Sequence, residues 1–341
     1  MKAKKQNDLI DIEKLIMALM VAAIHIVPLS KYNEFLYPWL RIAVPFFFLC
    51  SSYFLFYKIE KCKIIIEKNN VLKKFIVRNL RLYLSWSIVL FPLIAFMNRD
   101  VKGIDFVIKM LKSLFFSGIF GGSWYIIALI EGICIVWIFN KNKKLKIFIN
   151  LLGCLCYFLT AFSTNYSLLF DNRFIGLMQN NGFVPGYLSV IAGLPWILVG
   201  QKLAETRISD IITNKVLISG AVVGAILLYL EYVLLAQVRS PINDGYIMLI
   251  AIVPFVFLIG IKSNYHIKYA KIFRELSTII FCLHHTLNRA LDFIFSKTNI
   301  AIFKGVTGGL VRYSMVIVVC LIALKGLKML SNKYPFAKYM I

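Results

Sequence analysis

Ten stretches of this chain are apolar over a length that lets an α-helix cross the hydrocarbon of a bilayer. They fall near 12–29, 38–57, 82–98, 121–140, 146–164, 186–203, 215–236, 245–261, 277–296 and 311–331. With 60% apolar residues over 341 positions, this surface cannot all be hidden in one soluble core, so lipid is the solvent the sequence expects. The fold class that follows is all-α: a polytopic integral membrane protein of about ten transmembrane helices, forming one membrane domain over 1–341.

The first stretch follows Met1-Lys2-Ala3-Lys4-Lys5 and shows no small-residue cleavage site, so it is expected as a retained span. An even number of spans puts both termini on one side. With both ends in the cytoplasm, the inner segments hold about 27 Lys and Arg and the outer ones about 12, the bias expected of a correct orientation. The richest inner segments run from Lys58 to Arg81, over Lys141–Lys146, and from Lys262 to Arg274. A net charge of +23 could suggest a nucleic-acid partner. Spread over short loops, without zinc spacing or a recognition helix, it argues for no nucleic acid. The seven cysteines lack paired C-x-x-C spacing, and the chain has no phosphate-binding glycine loop, no metal-binding H-E-x-x-H and no nucleophile-elbow serine, so no metal is expected.

Ionisable residues at membrane depth cost about 2.5–3.5 kcal/mol on insertion scales and mark sites by default. His25 lies about 20 Å along the first span, counted from Ile12 at 1.5 Å per residue. Arg41 opens the second span, ahead of Pro45 and a run of phenylalanines. Arg78 and Arg81 sit three residues apart at the inner boundary of the third span, where two guanidinium groups on one helix face form a fork suited to phosphate. Glu131, Glu231, His284, His285 and Arg289 are further polar groups within spans, and Glu131 is a candidate to orient His25 or pair with an arginine. Two outer segments, about 99–120 and 165–185, are long enough to cover a cleft, the second carrying Gly176, Gly182, Pro185 and Gly186.

Together these residues resemble the acyltransferase family 3 membrane proteins, which O-acylate cell-surface sugars and related acceptors. Asp11, Lys14 and His25 reproduce the acidic–basic–histidine signature of the family's first helix, with lysine where arginine is commoner. The stretch from Arg41 through Pro45-Phe46-Phe47-Phe48 to Tyr53-Phe54 is similar to its second helix, except that Ser52 stands where glycine is usual, and a slightly altered helix contact is expected there. Arg78 and Arg81 look like its R-x-x-R, and Ser123-Trp124-Tyr125 like the pair opening its fourth span. The segment Leu194–Gly200 and the late His284-His285 match less specifically. The likeness runs from about residue 8 to 330.

The resemblance implies an enzyme that takes an acyl group, with acetyl the commonest choice, from cytoplasmic acyl-coenzyme A to a hydroxyl of an extracytoplasmic or lipid-linked glycan. Such a transfer needs a base for the hydroxyl proton, and a desolvated neutral imidazole suits that work, which makes His25 the candidate general base. Arg78 and Arg81 would meet the coenzyme A phosphates. Asp11, Arg41, Trp124, Tyr125, Glu131 and His284 are expected to support, with Trp124 and Tyr125 at the outer end of the fourth span on the acceptor side. Richness in Lys, Ile and Asn points to the cytoplasmic membrane of a bacterium. The rival reading is a transporter or flippase for a surface-polysaccharide precursor, since buried His, Arg and Glu in a many-span protein also line transport pathways.

Overall fold

In a computed structural model the chain is predominantly helical over the residues described, which are 8–29, 33–169, 186–236, 238, 244–263, 265–296 and 305–341, and no strand occurs among them. The basic N-terminal residues 1–7 and most of the outer segment 165–185, including Gly176, Gly182 and Pro185, lie outside them.

The helices that build the molecule are α1 (Asp8–Ile26), α2 (Asn33–Leu40), α3 (Ala43–Glu60), α4 (Ile65–Met97), α5 (Gly103–Lys112), α6 (Trp124–Phe139), α7 (Lys143–Phe162), α8 (Val190–Thr206), α9 (Asn214–Leu234), α10 (Leu249–Lys262), α11 (Ala270–Ser296) and α12 (Gly305–Lys333). A 3₁₀ turn over Pro335–Met340 follows α12. A helix overlies each of the expected apolar stretches, and five of the described helical stretches are long and apolar enough to cross a membrane: Phe35–Glu60, Ile65–Met97, Lys143–Phe162, Asn214–Leu234 and Val306–Lys333. Helices α6 and α10 are apolar but shorter.

The outer helices show why lipid is required. Ile88 on α4, Leu151 on α7, Leu234 on α9 and Ile322 on α12 are all largely exposed, and they sit in windows of strongly positive hydropathy. A water-soluble protein rarely presents such continuous apolar faces, whereas hydrocarbon solvates them without cost.

Inside, two apolar cores form. One is built on α3, α8 and α10 around Phe46, Phe48, Leu49, Ile197 and Phe257, and the other on α1, α4, α11 and α12 around Ala18, Ala22, Trp86, Ile279 and Val316. Phe47 and Tyr125 pack against both, so they mark the seam between the cores. The altered contact expected at Ser52 is resolved by its neighbour. Ser52 is fully buried, donates from Oγ to the Leu49 carbonyl at 3.0 Å, and faces Gly200 of α8, where an added Cβ would lie 2.0 Å from that oxygen. The small residue that lets the two helices approach here is thus Gly200 on the partner helix.

Two segments expected as cytoplasmic loops are helical. No Gly or Pro interrupts the chain from Ile65 to Phe91, and its Lys, Leu, Arg and Asn residues hold α4 together across the boundary, so Arg78 and Arg81 sit within a single 33-residue helix. Likewise α11 begins at Ala270, which makes Lys271, Arg274 and Glu275 part of its first turns.

Candidate functional site

Helix α1 sets the geometry. Eleven residues at 100° each make three turns and about 20° more, so Lys14 and His25 share one face, about 16 Å apart along the axis. Each end of that face opens on a different cavity.

The first cavity, of about 900 Å³, lies at the end of the bundle where α1, α4 and α11 begin. Lys14, Lys73, Lys74, Arg78 and Arg81 line it from α1 and α4. Lys271 and Arg274 join from α11 and Lys338 from the 3₁₀ turn, against the single carboxylate of Glu275. Such a surplus of cations around a concave space is an anion-binding environment. Arg78 and Arg81 are both exposed as residues, with the Arg78 guanidinium 5.7 Å from the Phe75 ring and that of Arg81 4.8 Å from the Tyr339 ring. Asp11 is buried and lines neither cavity; it holds Lys14 at 3.8 Å and Arg274 at 3.2 Å, and so positions two cations of the wall.

The second cavity, of about 340 Å³, lies toward the other end. His25, the penultimate residue of α1, opens into it and is exposed. Aromatic side chains dominate its wall, with Tyr37, Phe48, Trp124, Tyr157, Tyr187 and Trp196 among them. Arg41 also lines it, held by an ion pair to Asp244 and a hydrogen bond to the Tyr37 hydroxyl at 3.2 Å, so it faces the protein interior and does not reach outward to the membrane surface.

The two cavities share three lining side chains, Phe47, Tyr125 and Phe281. The Tyr125 hydroxyl donates to the Phe47 carbonyl at 2.9 Å and lies 3.0 Å from Ser51 Oγ, which fixes its ring in the partition. Trp124 belongs to the second cavity alone, whereas Tyr125, expected beside it on the acceptor side, stands between the two.

Behind His25 are two more imidazoles. Its ring centroid is 5.2 Å from that of His284 and 5.0 Å from that of His285. His284 is fully buried and donates from Nδ1 to the carbonyl of Ile280 at 2.8 Å, leaving Nε2 as a buried atom with no hydrogen-bond partner among the described residues. That tautomer makes Nε2 an acceptor for a neighbouring N–H. The close fit continues at Gly121, where a Cβ would fall 1.9 Å from His285 Nδ1, and at Gly122, whose φ of +85° favours glycine.

Glu131 does not take the role expected of it. Among the described residues it makes no hydrogen bond or ion pair with His25 or with an arginine, and it lines neither cavity. The reason is helical: on α6 it lies about 200° around from Leu129, which faces the first cavity. Glu231 is structural, its carboxylate accepting from the backbone N–H of Ile247 and Met248 at 2.7 Å each and from the Tyr166 hydroxyl at 2.6 Å. It thereby satisfies donors at the start of α10.

Among the described residues no group of three or more His, Cys, Asp or Glu side chains could hold a metal ion. Sequence reasoning missed Asp244, Tyr187 and Phe281, and took Lys73, Lys74 and Lys271 as markers of topology. The eleven-residue spacing of Lys14 and His25 was the available signal that one helix face joins both cavities.

Residues 7–325 match the family model for the acyltransferase 3 domain. An amino-acid racemase of Enterococcus faecalis is 29% identical over 151 residues, which is 43% of this chain and 21% of that protein. A serine/alanine racemase of Enterococcus gallinarum is 31% identical over 137 residues, 37% of this chain and 19% of that protein. The chain spans about a fifth of the length of the curated relatives it matches. No solved structure matches it.

Proposed function

We propose that this chain, which belongs to the acyltransferase 3 family, moves an acyl group, acetyl in the first instance, from acyl-coenzyme A to a hydroxyl of an extracytoplasmic or lipid-linked glycan. The observation that carries this reading is the pair of cavities entered from opposite ends of the bundle and meeting at Phe47, Tyr125 and Phe281, with the cations in one and His25 in the other.

In this reading the phosphates of the donor rest on Arg78, Arg81 and their lysine neighbours through charge-assisted hydrogen bonds. The pantetheine arm runs along the face of α1 from Lys14 toward His25 and brings the thioester to the aromatic partition. The acceptor enters the second cavity, where Arg41 and the aromatic wall suit a sugar, whose hydroxyls take hydrogen bonds and whose C–H faces stack on rings. His25 removes the hydroxyl proton as the oxygen attacks the acyl carbonyl. The carbon–sulfur bond breaks, the ester forms, and the proton passes from His25 to the departing thiolate. The Nε2 acceptor of His284 is available to steady the His25 ring, and this reading puts the first cavity and both termini on the cytoplasmic side.

Purified protein in lipid nanodiscs, supplied with radiolabelled acetyl-coenzyme A and cell-envelope glycans, tests this directly. Label appears in glycan with the wild type and is lost in His25→Ala. Wild-type protein that neither turns over acetyl-coenzyme A nor labels glycan would favour the transport reading, since two cavities divided by a partition also suit alternating access.

A further inference from the structure

The residues that match the family end at 325, yet the protein continues to the end of α12 and folds back into the basic cavity. The turn over Pro335–Met340 is firmly built. Its first helical position is a proline, the Tyr334 N–H donates to the Leu330 carbonyl at 2.7 Å, and the Ala337 N–H donates to the Tyr334 carbonyl at 3.1 Å. In a 3₁₀ helix, residues three apart lie on one face. Ala337 and Met340 follow that rule and are both buried, and the Met340 carbonyl accepts from the buried Trp86 indole of α4 at 3.1 Å. The opposite side, Lys338, Tyr339 and Ile341, lines the cavity.

Tyr339 meets Arg81 there. The guanidinium lies 4.8 Å from the ring centroid, while 41% of the tyrosine remains exposed. A planar cation over an exposed aromatic ring, with Lys338, Lys74 and Arg78 lining the same cavity, combines a stacking platform with a phosphate-binding surround. We infer that the turn over Pro335–Met340 forms a nucleotide subsite in which Tyr339 and Arg81 stack a nucleobase and Lys338 contacts its ribose phosphate. The inference rests on the donor reading above and adds that the enzyme grips the nucleotide end of its donor with a segment outside the family match. It therefore selects a complete coenzyme A thioester over a phosphopantetheine thioester lacking the nucleotide.

The test is binding by full-length protein in nanodiscs, measured calorimetrically with acetyl-coenzyme A and with acetyl-phosphopantetheine. Wild type is expected to bind acetyl-coenzyme A at least tenfold more tightly than the truncated thioester. Tyr339→Ala is expected to lose about tenfold in acetyl-coenzyme A affinity, the scale of one base–aromatic stack, with the truncated thioester unchanged. Tyr339→Phe, which keeps the ring and the turn, is expected to bind as wild type. Equal loss of both ligands in Tyr339→Ala, or no change in either, overturns the subsite while leaving the donor reading in place. Failure of the wild type to bind either thioester removes the donor reading and the subsite with it.

Discussion

The two cavities differ in almost every property a binding site has. One is large, strewn with cations and walled partly by charged helix beginnings, so its preference is set by long-range charge. The other is less than half the volume, aromatic, and holds its one arginine already paired to Asp244. In the proposed reaction, affinity and chemistry are divided along the length of α1. There the wide end would hold a highly charged carrier without precise fit, while the narrow end would supply shape and a base at one position.

That division can be broken most severely at the narrow end. His25→Ala should lower acyl transfer by at least about a hundredfold, while acetyl-coenzyme A binds within about twofold of wild type; a steady-state transfer assay beside a binding titration separates the two. The converse change, Arg78→Ala with Arg81→Ala, should raise the donor KM by about ten- to a hundredfold through loss of two charge-assisted contacts and alter kcat far less. Parallel losses in both parameters for both variants would abolish the distinction between the cavities.

The partition offers a subtler cut. Phe281→Ala opens the shared wall, and hydrolysis of the donor by water should rise severalfold relative to transfer to glycan, read as free acetate against labelled product. The smallest effect expected is electrostatic. Raising salt from about 50 mM to 500 mM shortens the screening length from about 14 Å to 4 Å, and donor affinity should fall a few-fold while the rate at saturating donor stays level.

Much of the fold was legible because hydrophobic length is a local property. Each apolar stretch could be found without knowing its neighbours, and His25 stood out because an imidazole inside such a stretch is costly. Arg78 and Arg81 were legible for a similar reason, their spacing of three placing them on one face of a helix. The continuity of α4 across the boundary was less so, since a charge-rich segment after an apolar one reads as a loop unless the absence of Gly and Pro is weighed. What remained hidden was tertiary. Lys271 and Lys338 enter the basic cavity only because α11 and the last turn pack beside α4, and Asp244 reaches Arg41 from 203 residues away. The misjudged role of Glu131 came from depth without azimuth: it sits far enough into its helix to matter but on the flank turned away from the cavities.

The rings of Phe47, Tyr125 and Phe281 have a consequence for the cell that hosts the protein. A bilayer works as an electrical insulator, and two recesses that advance from its opposite faces thin that insulation, once water fills them, to whatever separates them. Here it is the thickness of an aromatic layer, so most of the resting voltage would drop across it, at about 2.3 kcal/mol for each elementary charge per 100 mV. In the proposed reaction a neutral acyl group would pass through that steep field without electrical work, while a stray proton or metal cation would face both the voltage and the loss of its hydration. The partition is therefore as much a dielectric seal as a wall, and a variant that thins it should be felt first as leak current.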